Sequence, residues 1–202
     1  MAQRLGRCGF AVLFVALIVV AASAPSGAGR AEGKERPRRV LIIRHAEKPP
    51  PGDDSVHLSP EGKKRAEALP RLFEVSTERP TPLPPPGFIF AARNSKQSHR
   101  PTETVAALAT KLRLPVNATH RNEDFPGLVR EIFRSPKYAG KTVLICWHHG
   151  TAPELARRLG AVNAPHSWKG AVFDRVWEIS YDDGKATFRD RPQRLLTGDA
   201  ER

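Results

Sequence analysis

Cysteine is scarce in this chain: its 202 residues include two, Cys8 and Cys146. Cys8 precedes an apolar run that reads as a targeting segment, so its loss would leave Cys146 alone, and a disulfide framework is excluded. Neither C-x-x-C nor H-x-x-x-H spacing occurs. A zinc site built from His45, His148 and His149 therefore lacks the usual ligand pattern, and neighbouring arginines would repel the cation. Acidic residues are also in the minority, 21 against 33 lysines and arginines, for a net charge of +12. Such a charge suits an anionic partner, whether nucleic acid, membrane surface or small phosphorylated ligand. The basic residues are interspersed with acidic ones, and no run of five or more Lys or Arg occurs, so a nucleic-acid partner is not expected. No internal repeat is present.

Long apolar runs are missing too. FAVLFVALIVVAA, residues 10 to 22, falls short of the ~20 residues a membrane-spanning helix needs. Arg4 and Arg7 precede it and SAPSGAG follows, which is the charged, apolar and small-residue order of a secretory signal peptide. Cutting after Ala22-Ser23-Ala24 would place Pro25 next to the cleaved bond, so Ala28 and Ala31 are alternative sites, and an uncleaved anchor is another outcome. The expectation is a secreted or periplasmic protein, with the membrane involved only through an uncleaved N-terminal segment. Residues 1–30 form the signal peptide or anchor, 31–38 a charged linker, and 39–202 one domain long enough for a real core.

Within that domain strands and helices alternate. Residues 39 to 43 form a β-branched strand. Residues 59 to 73 predict a helix, with Ser59 as cap, Pro60 at the first position and Glu61 in the first turn. TERPTPLPPP, 77 to 86, is a stiff connection without regular structure. Residues 87 to 92 and 141 to 147 predict strands, and 102 to 114 and 152 to 160 predict helices, the latter closed by Gly160. A third helix lies within 125 to 140 and ends at Ser135-Pro136. The alternation around Asp183-Gly184 marks a hairpin. This order predicts an α/β fold, a three-layer α/β/α sandwich with a largely parallel central sheet.

In open α/β sheets ligands bind beyond the carboxyl ends of the strands. RVLIIRHAE brings Arg44 and His45 there, TVLICWHHG brings His148 and His149, and ARNSKQSHRPTET supplies Arg93, Ser98, His99 and Arg100 before a helix start. Free N–H groups at such a start favour an anion.

These motifs resemble the histidine phosphatase superfamily, also called phosphoglycerate mutase-like. RHAE at 44 to 47 is similar to its Arg-His-Gly/Ala signature, Arg100 with Thr104 to its second arginine motif, and His149-Gly150 to its second histidine motif. LSPEGKKRAEAL resembles its first helix. The resemblance covers residues 39 to 181. It implies the three-layer fold and a phosphohistidine mechanism. That scheme requires no metal, no cofactor is expected, and the expected partner is a small phosphorylated substrate or a phosphoprotein.

The chemistry can also be reasoned from the residues. Phosphoryl transfer needs fixed positive donors around the equatorial oxygens. Arg44 and Arg100 have the planar forks for that clamp. His45 is the expected nucleophile, one ring nitrogen attacking phosphorus while the other donates the hydrogen bond that sets its tautomer. His149 is expected to hold the phosphoryl oxygens, since its place before Gly150 fits the motif and successive strand residues point opposite ways. His148 is expected to be a neighbour. The acid that protonates the leaving group is placed by the resemblance in the loop 120 to 128, where likeness to the mutase branch favours Glu123, with Asp124 as the alternative and Glu47 cast in a structural role. Ser98 and Asn94 are candidates to line the pocket or cap the helix. Trp168, Phe173 and Trp177 are expected on its wall. The expected activity is phosphomonoester hydrolysis. A non-catalytic phosphate-binding module and a phosphomutase are its alternatives.

Overall fold

The computed structural model describes residues 1–2 and 36–201. The expected signal peptide and most of the linker lie outside these residues. No helix among the described residues is long and apolar enough to cross a membrane.

The described part of the domain forms a six-stranded sheet in the order β3-β2-β4-β1-β5-β6. β1 (Arg39–Arg44) and β4 (Thr142–Trp147) are central and parallel, with Arg44 registered against Trp147. β2 (Phe88–Ala91) and β3 (Val116–Asn117) continue the parallel half. β5 (Arg175–Asp182) pairs antiparallel with β1, and β6 (Lys185–Pro192) antiparallel with β5. Val40 to Ile43 and Val143 to Trp147 are fully buried, which explains why both strands read as unbroken apolar runs rather than as alternations.

Odd and even positions of β1 feed different cores. Val40 and Ile42 join Ile145, Trp147 and Trp177 beneath α3 (Phe125–Arg134) and α4 (Ala152–Arg158). Leu41 and Ile43 join Leu144, Cys146, Val105 and Leu108 beneath α1 (Pro60–Ala68) and α2 (Arg100–Leu112). Helices on both faces of a sheet make the three-layer α/β/α sandwich. Cys146 is a buried free thiol.

The helix ends follow local chemistry. Ser59 Oγ accepts from the Gly62 amide at 3.1 Å. Pro70 cannot extend the α-helical ladder, so α1 stops at Ala68 and Leu69–Phe73 tightens into a 3-10 turn. α2 begins at Arg100, two residues before the expected start, with Pro101 in its first turn. The hairpin turns through Asp183 and Gly184, both with positive φ (47° and 76°), as a type I′ turn requires. Gly62 is required for another reason: a Cβ there would lie 2.4 Å from the Glu47 carbonyl oxygen. α1 therefore presses directly on the loop that follows β1.

A buried ion cluster fixes the same loop. Arg65 bonds Glu47 through Nε at 2.8 Å and grips Asp199 with both terminal nitrogens at 2.8 and 2.9 Å. The expected structural role of Glu47 agrees with this geometry.

Candidate active site

Because Arg44 and Trp147 are paired across neighbouring parallel strands, His45 and His148 are each the first residue beyond the same sheet edge. The His45 amide donates to the Trp147 carbonyl at 3.0 Å, which extends the register by one position. Their rings meet at 67° with centroids 5.2 Å apart.

His45 is held in one tautomer. Its Nδ1 lies 2.8 Å from the Ala46 carbonyl oxygen, which can only accept, so Nδ1 carries the proton and Nε2 keeps its lone pair. The Ala46 peptide is held in turn: its amide donates to Thr104 Oγ1 at 2.9 Å, and that hydroxyl donates to the Arg100 carbonyl at 2.7 Å. Burial pushes the His45 pKa down to about 3, against the opposing bond to Ala46, and the nearby His148, Arg44 and Arg100 lower it further. The ring is therefore neutral at physiological pH.

Arg44 is 1% exposed. Its Nη1 donates to the carbonyls of Gly170 at 2.7 Å and Val172 at 3.1 Å, and its guanidinium carbon lies 3.8 Å from the Phe173 ring centroid. Burial lowers its pKa to about 10, and Arg100 adds to the lowering while Glu47 opposes it, so the group stays charged. Arg100 donates to the Ser55 carbonyl at 3.0 Å and the Gln97 carbonyl at 3.2 Å. Both arginines act electrostatically on His45 and on His148.

The second histidine is where expectation and geometry part. The structure sets His148, not His149, against His45. Burial lowers the His148 pKa to about 4, helped by Arg100 and His149 and opposed by Glu123. His149 is also lowered, by burial and then by Arg44 and Lys48, and its Nε2 faces Gly170. β4 ends at Trp147, and the chain then turns so that the His148 carbonyl accepts from the amides of Thr151 and Ala152. Strand alternation stops governing side-chain direction at that point.

The two carboxylate candidates also separate. Glu123 shares with His148, Arg93, Asn94, Lys96 and Arg121 a cavity of about 420 Å³. Asp124 is taken up elsewhere: one oxygen lies 2.8 Å from His120 Nδ1, and its carboxylate packs onto Gly127 at the start of α3. Ser98 is buried, and its hydroxyl accepts from the Arg100 amide at 3.3 Å; it does not line this cavity, and the N-cap position of α2 is His99. Asn94 lines the cavity while accepting from the Thr102 hydroxyl at 2.7 Å. Of the three aromatic candidates, Phe173 reaches the site, with its ring centroid 6.2 Å from that of His45. Trp168 and Trp177 stack on each other in the core, 4.4 Å between centroids, and the Trp168 indole donates to the Val172 carbonyl at 2.9 Å. They brace the loop that binds Arg44.

The backbone carbonyls of that loop and the cavity cations Lys96 and Arg121 were not expected as parts of the site. Carbonyls leave no mark in a sequence, whereas the basic character of 93 to 100 and 120 to 123 was there to be read. A larger cavity of about 860 Å³ between residues 71–79 and 194–201 is lined by mixed charges, with no histidine. Among the described residues, the side chains grouped so that they could hold a metal ion are His57, His99 and Glu103.

No family model matches the chain, and no curated protein matches it significantly. Solved structures do. A phosphoglycerate mutase from Bacillus anthracis superposes with a TM-score of 0.53 at 13% identity, covering 79% of this chain and 95% of that one. A mycobacterial glucosyl-3-phosphoglycerate phosphatase gives 0.51 at 13% identity, covering 79% and 100%. The protein histidine phosphatase SixA, in complex with tungstate, gives 0.50 at 14% identity, covering 77% and 97%. With its mixed sheet, flanking helices and these neighbours, the chain has the fold of the phosphoglycerate mutase-like histidine phosphatases.

Proposed function

We propose that the protein is a metal-independent phosphomonoesterase that works through a phosphohistidine on His45. One observation carries this reading: a buried imidazole, neutral and locked with Nε2 unprotonated, stands among two arginines and a second histidine. A neutral nucleophile surrounded by fixed positive charge suits attack on a phosphoryl group, whose charge is spread over its oxygens.

In the proposed cycle Arg44 and Arg100 hold the phosphoryl oxygens, and His148 takes the part first expected of His149. Nε2 of His45 attacks phosphorus as the ester oxygen departs in line. The Ala46 carbonyl holds the Nδ1 proton and stabilises the ring as positive charge develops on it. Glu123, on the cavity wall beside His148, protonates the leaving oxygen and then deprotonates the water that cleaves the phosphohistidine. Histidines that stay neutral well below pH 6.5 support an acid-phosphatase-like range. The cavity cations Arg93, Lys96 and Arg121 favour an anionic small phosphorylated substrate or a phosphoprotein. Hydrolysis rather than mutase transfer is preferred because export of the protein, the expectation for residues 1–30, would part it from glycolytic intermediates.

The test is hydrolysis of an aryl phosphate in EDTA, with quenching in alkaline detergent to trap phosphoenzyme, whose lability is then checked in acid. Turnover and an acid-labile label, both lost in His45→Ala, are the expected result. Phosphate binding without turnover would favour a non-catalytic phosphate-binding module.

A further inference from the structure

We infer that His57, His99 and Glu103 form a binding site for a divalent transition-metal ion such as zinc, separate from the phosphoryl site and bridging the 55–58 segment to the start of α2. His99 and Glu103 are four residues apart across the first turn of that helix, so they share a face. His57 comes from the other side: its Nδ1 contacts a Glu103 oxygen, and its ring stands at 88° to the His99 ring with centroids 5.2 Å apart. One nitrogen from each histidine and one carboxylate oxygen all lie within 4.8 Å of one another.

A pairing of His57 with Glu103 alone does not account for this grouping. No ring nitrogen of His99 is hydrogen-bonded among the described residues, yet its ring is packed against the other two ligands. Two imidazoles and a carboxylate are a common ligand set for tetrahedral zinc, with the fourth position left to water. Bonds of about 2.0–2.2 Å place ligand atoms roughly 3.4 Å apart in a tetrahedron. The His57 side chain, 54% exposed, is free to rotate that far. The carboxylate is already oriented, because its second oxygen accepts from the Leu58 amide at 2.9 Å, the kind of outer contact that fixes a metal ligand. The backbone is fixed as well, the His99 amide donating to the Val56 carbonyl at 2.9 Å.

His120 shows the contrast. Its two ring nitrogens are already bonded, to Asp124 and to Glu131, at 2.8 Å each. That grouping is saturated without an ion. At His57 a bound ion would fasten the segment whose Ser55 carbonyl receives Arg100, and so hold the arginine as well as the loop.

The experiment is a titration of the untagged, metal-stripped full chain with cobalt(II), read by its visible d–d absorption, and with zinc by calorimetry. One ion per chain is expected, with a rise in Tm at saturation. Each of His57→Ala and His99→Ala should weaken binding by at least the roughly 10- to 100-fold that loss of an outer-shell contact costs. His120→Ala should bind as the parent does. Thermal unfolding without metal confirms that each variant is folded, and exposed His57 is the safer of the two substitutions. Absence of saturable binding by the parent, or equal binding by folded His57→Ala, overturns the site. Because binding is read directly, the outcome does not depend on whether His45 turns over phosphate.

Discussion

His45 and His148 are the same step of two neighbouring strands, each one residue past the paired Arg44 and Trp147, with their rings 5.2 Å apart. The adjacent His149 does not share that position. His148→Ala should therefore lower kcat by about 10²–10³-fold, the usual loss for one donor to a transition-state oxyanion. His149→Ala should cost less than about tenfold, the histidine lying outside the pair. Steady-state kinetics on one aryl phosphate compares the two. Equal losses would mean that both rings hold the phosphoryl group.

Acid should affect activity and stability differently. The His45 and His148 pKa values, about 3 and about 4, place the protonation of both rings well below the ordinary histidine value. The acid limb of kcat/KM is then expected near pH 4 rather than near 6.5. For stability the sign is negative on acidification: between about pH 6.5 and 3 the unfolded chain takes up a proton that buried His45 refuses, so the fold weakens as pH falls through that window. His45→Asn removes this contribution and should become more stable relative to the parent at pH 5 than at pH 7, as read from urea midpoints. An unchanged difference would show that His45 protonates freely in the fold.

Leaving-group dependence separates the carboxylates. Glu123→Gln should slow hydrolysis of alkyl phosphates by about 10²-fold or more, while a p-nitrophenyl ester, which departs without a proton, loses much less. Asp124→Asn should leave that ratio unchanged and instead lower Tm, because Asp124 is bound to His120 and packs on α3. A steep leaving-group effect in Asp124→Asn would reverse the assignment.

Gly62→Ala tests the contact between α1 and the loop after β1. The added methyl meets a backbone oxygen of Glu47, which cannot rotate aside. A loss of about 1–3 kcal/mol is expected by chemical denaturation, as for other overpacked sites. Ala at this helical position would otherwise stabilise, so a neutral or favourable result would mean that the loop yields.

Sequence reading served best where one physical constraint acts on consecutive residues. β1 and β4 were legible because both of their faces are buried, and the hairpin because Asp183-Gly184 satisfies a turn that few residue pairs can. β3, two residues long, offers no period to detect. The grouping of Arg44, His45 and Arg100 was legible, each lying beside a strand end or helix start. Which of His148 and His149 stands against His45 depends on the stagger of β4 against β1, and stagger belongs to a pair of strands, not to either one. The carbonyls of Gly170 and Val172 were out of reach because any residue carries them.

The buried Arg65 has its two counter-charges at very different distances along the chain, Glu47 18 residues away and Asp199 134. As the polypeptide emerges from the ribosome, Glu47 alone can neutralise Arg65 until β5 and β6 have been made. Closing the long loop to Asp199 carries the larger entropic cost and comes last. Removing one partner of a buried pair costs about 3–5 kcal/mol, so the loop behind His45 gains its full rigidity only after this late closure. The order of synthesis thus gives the end of β1 an early shape and a late lock.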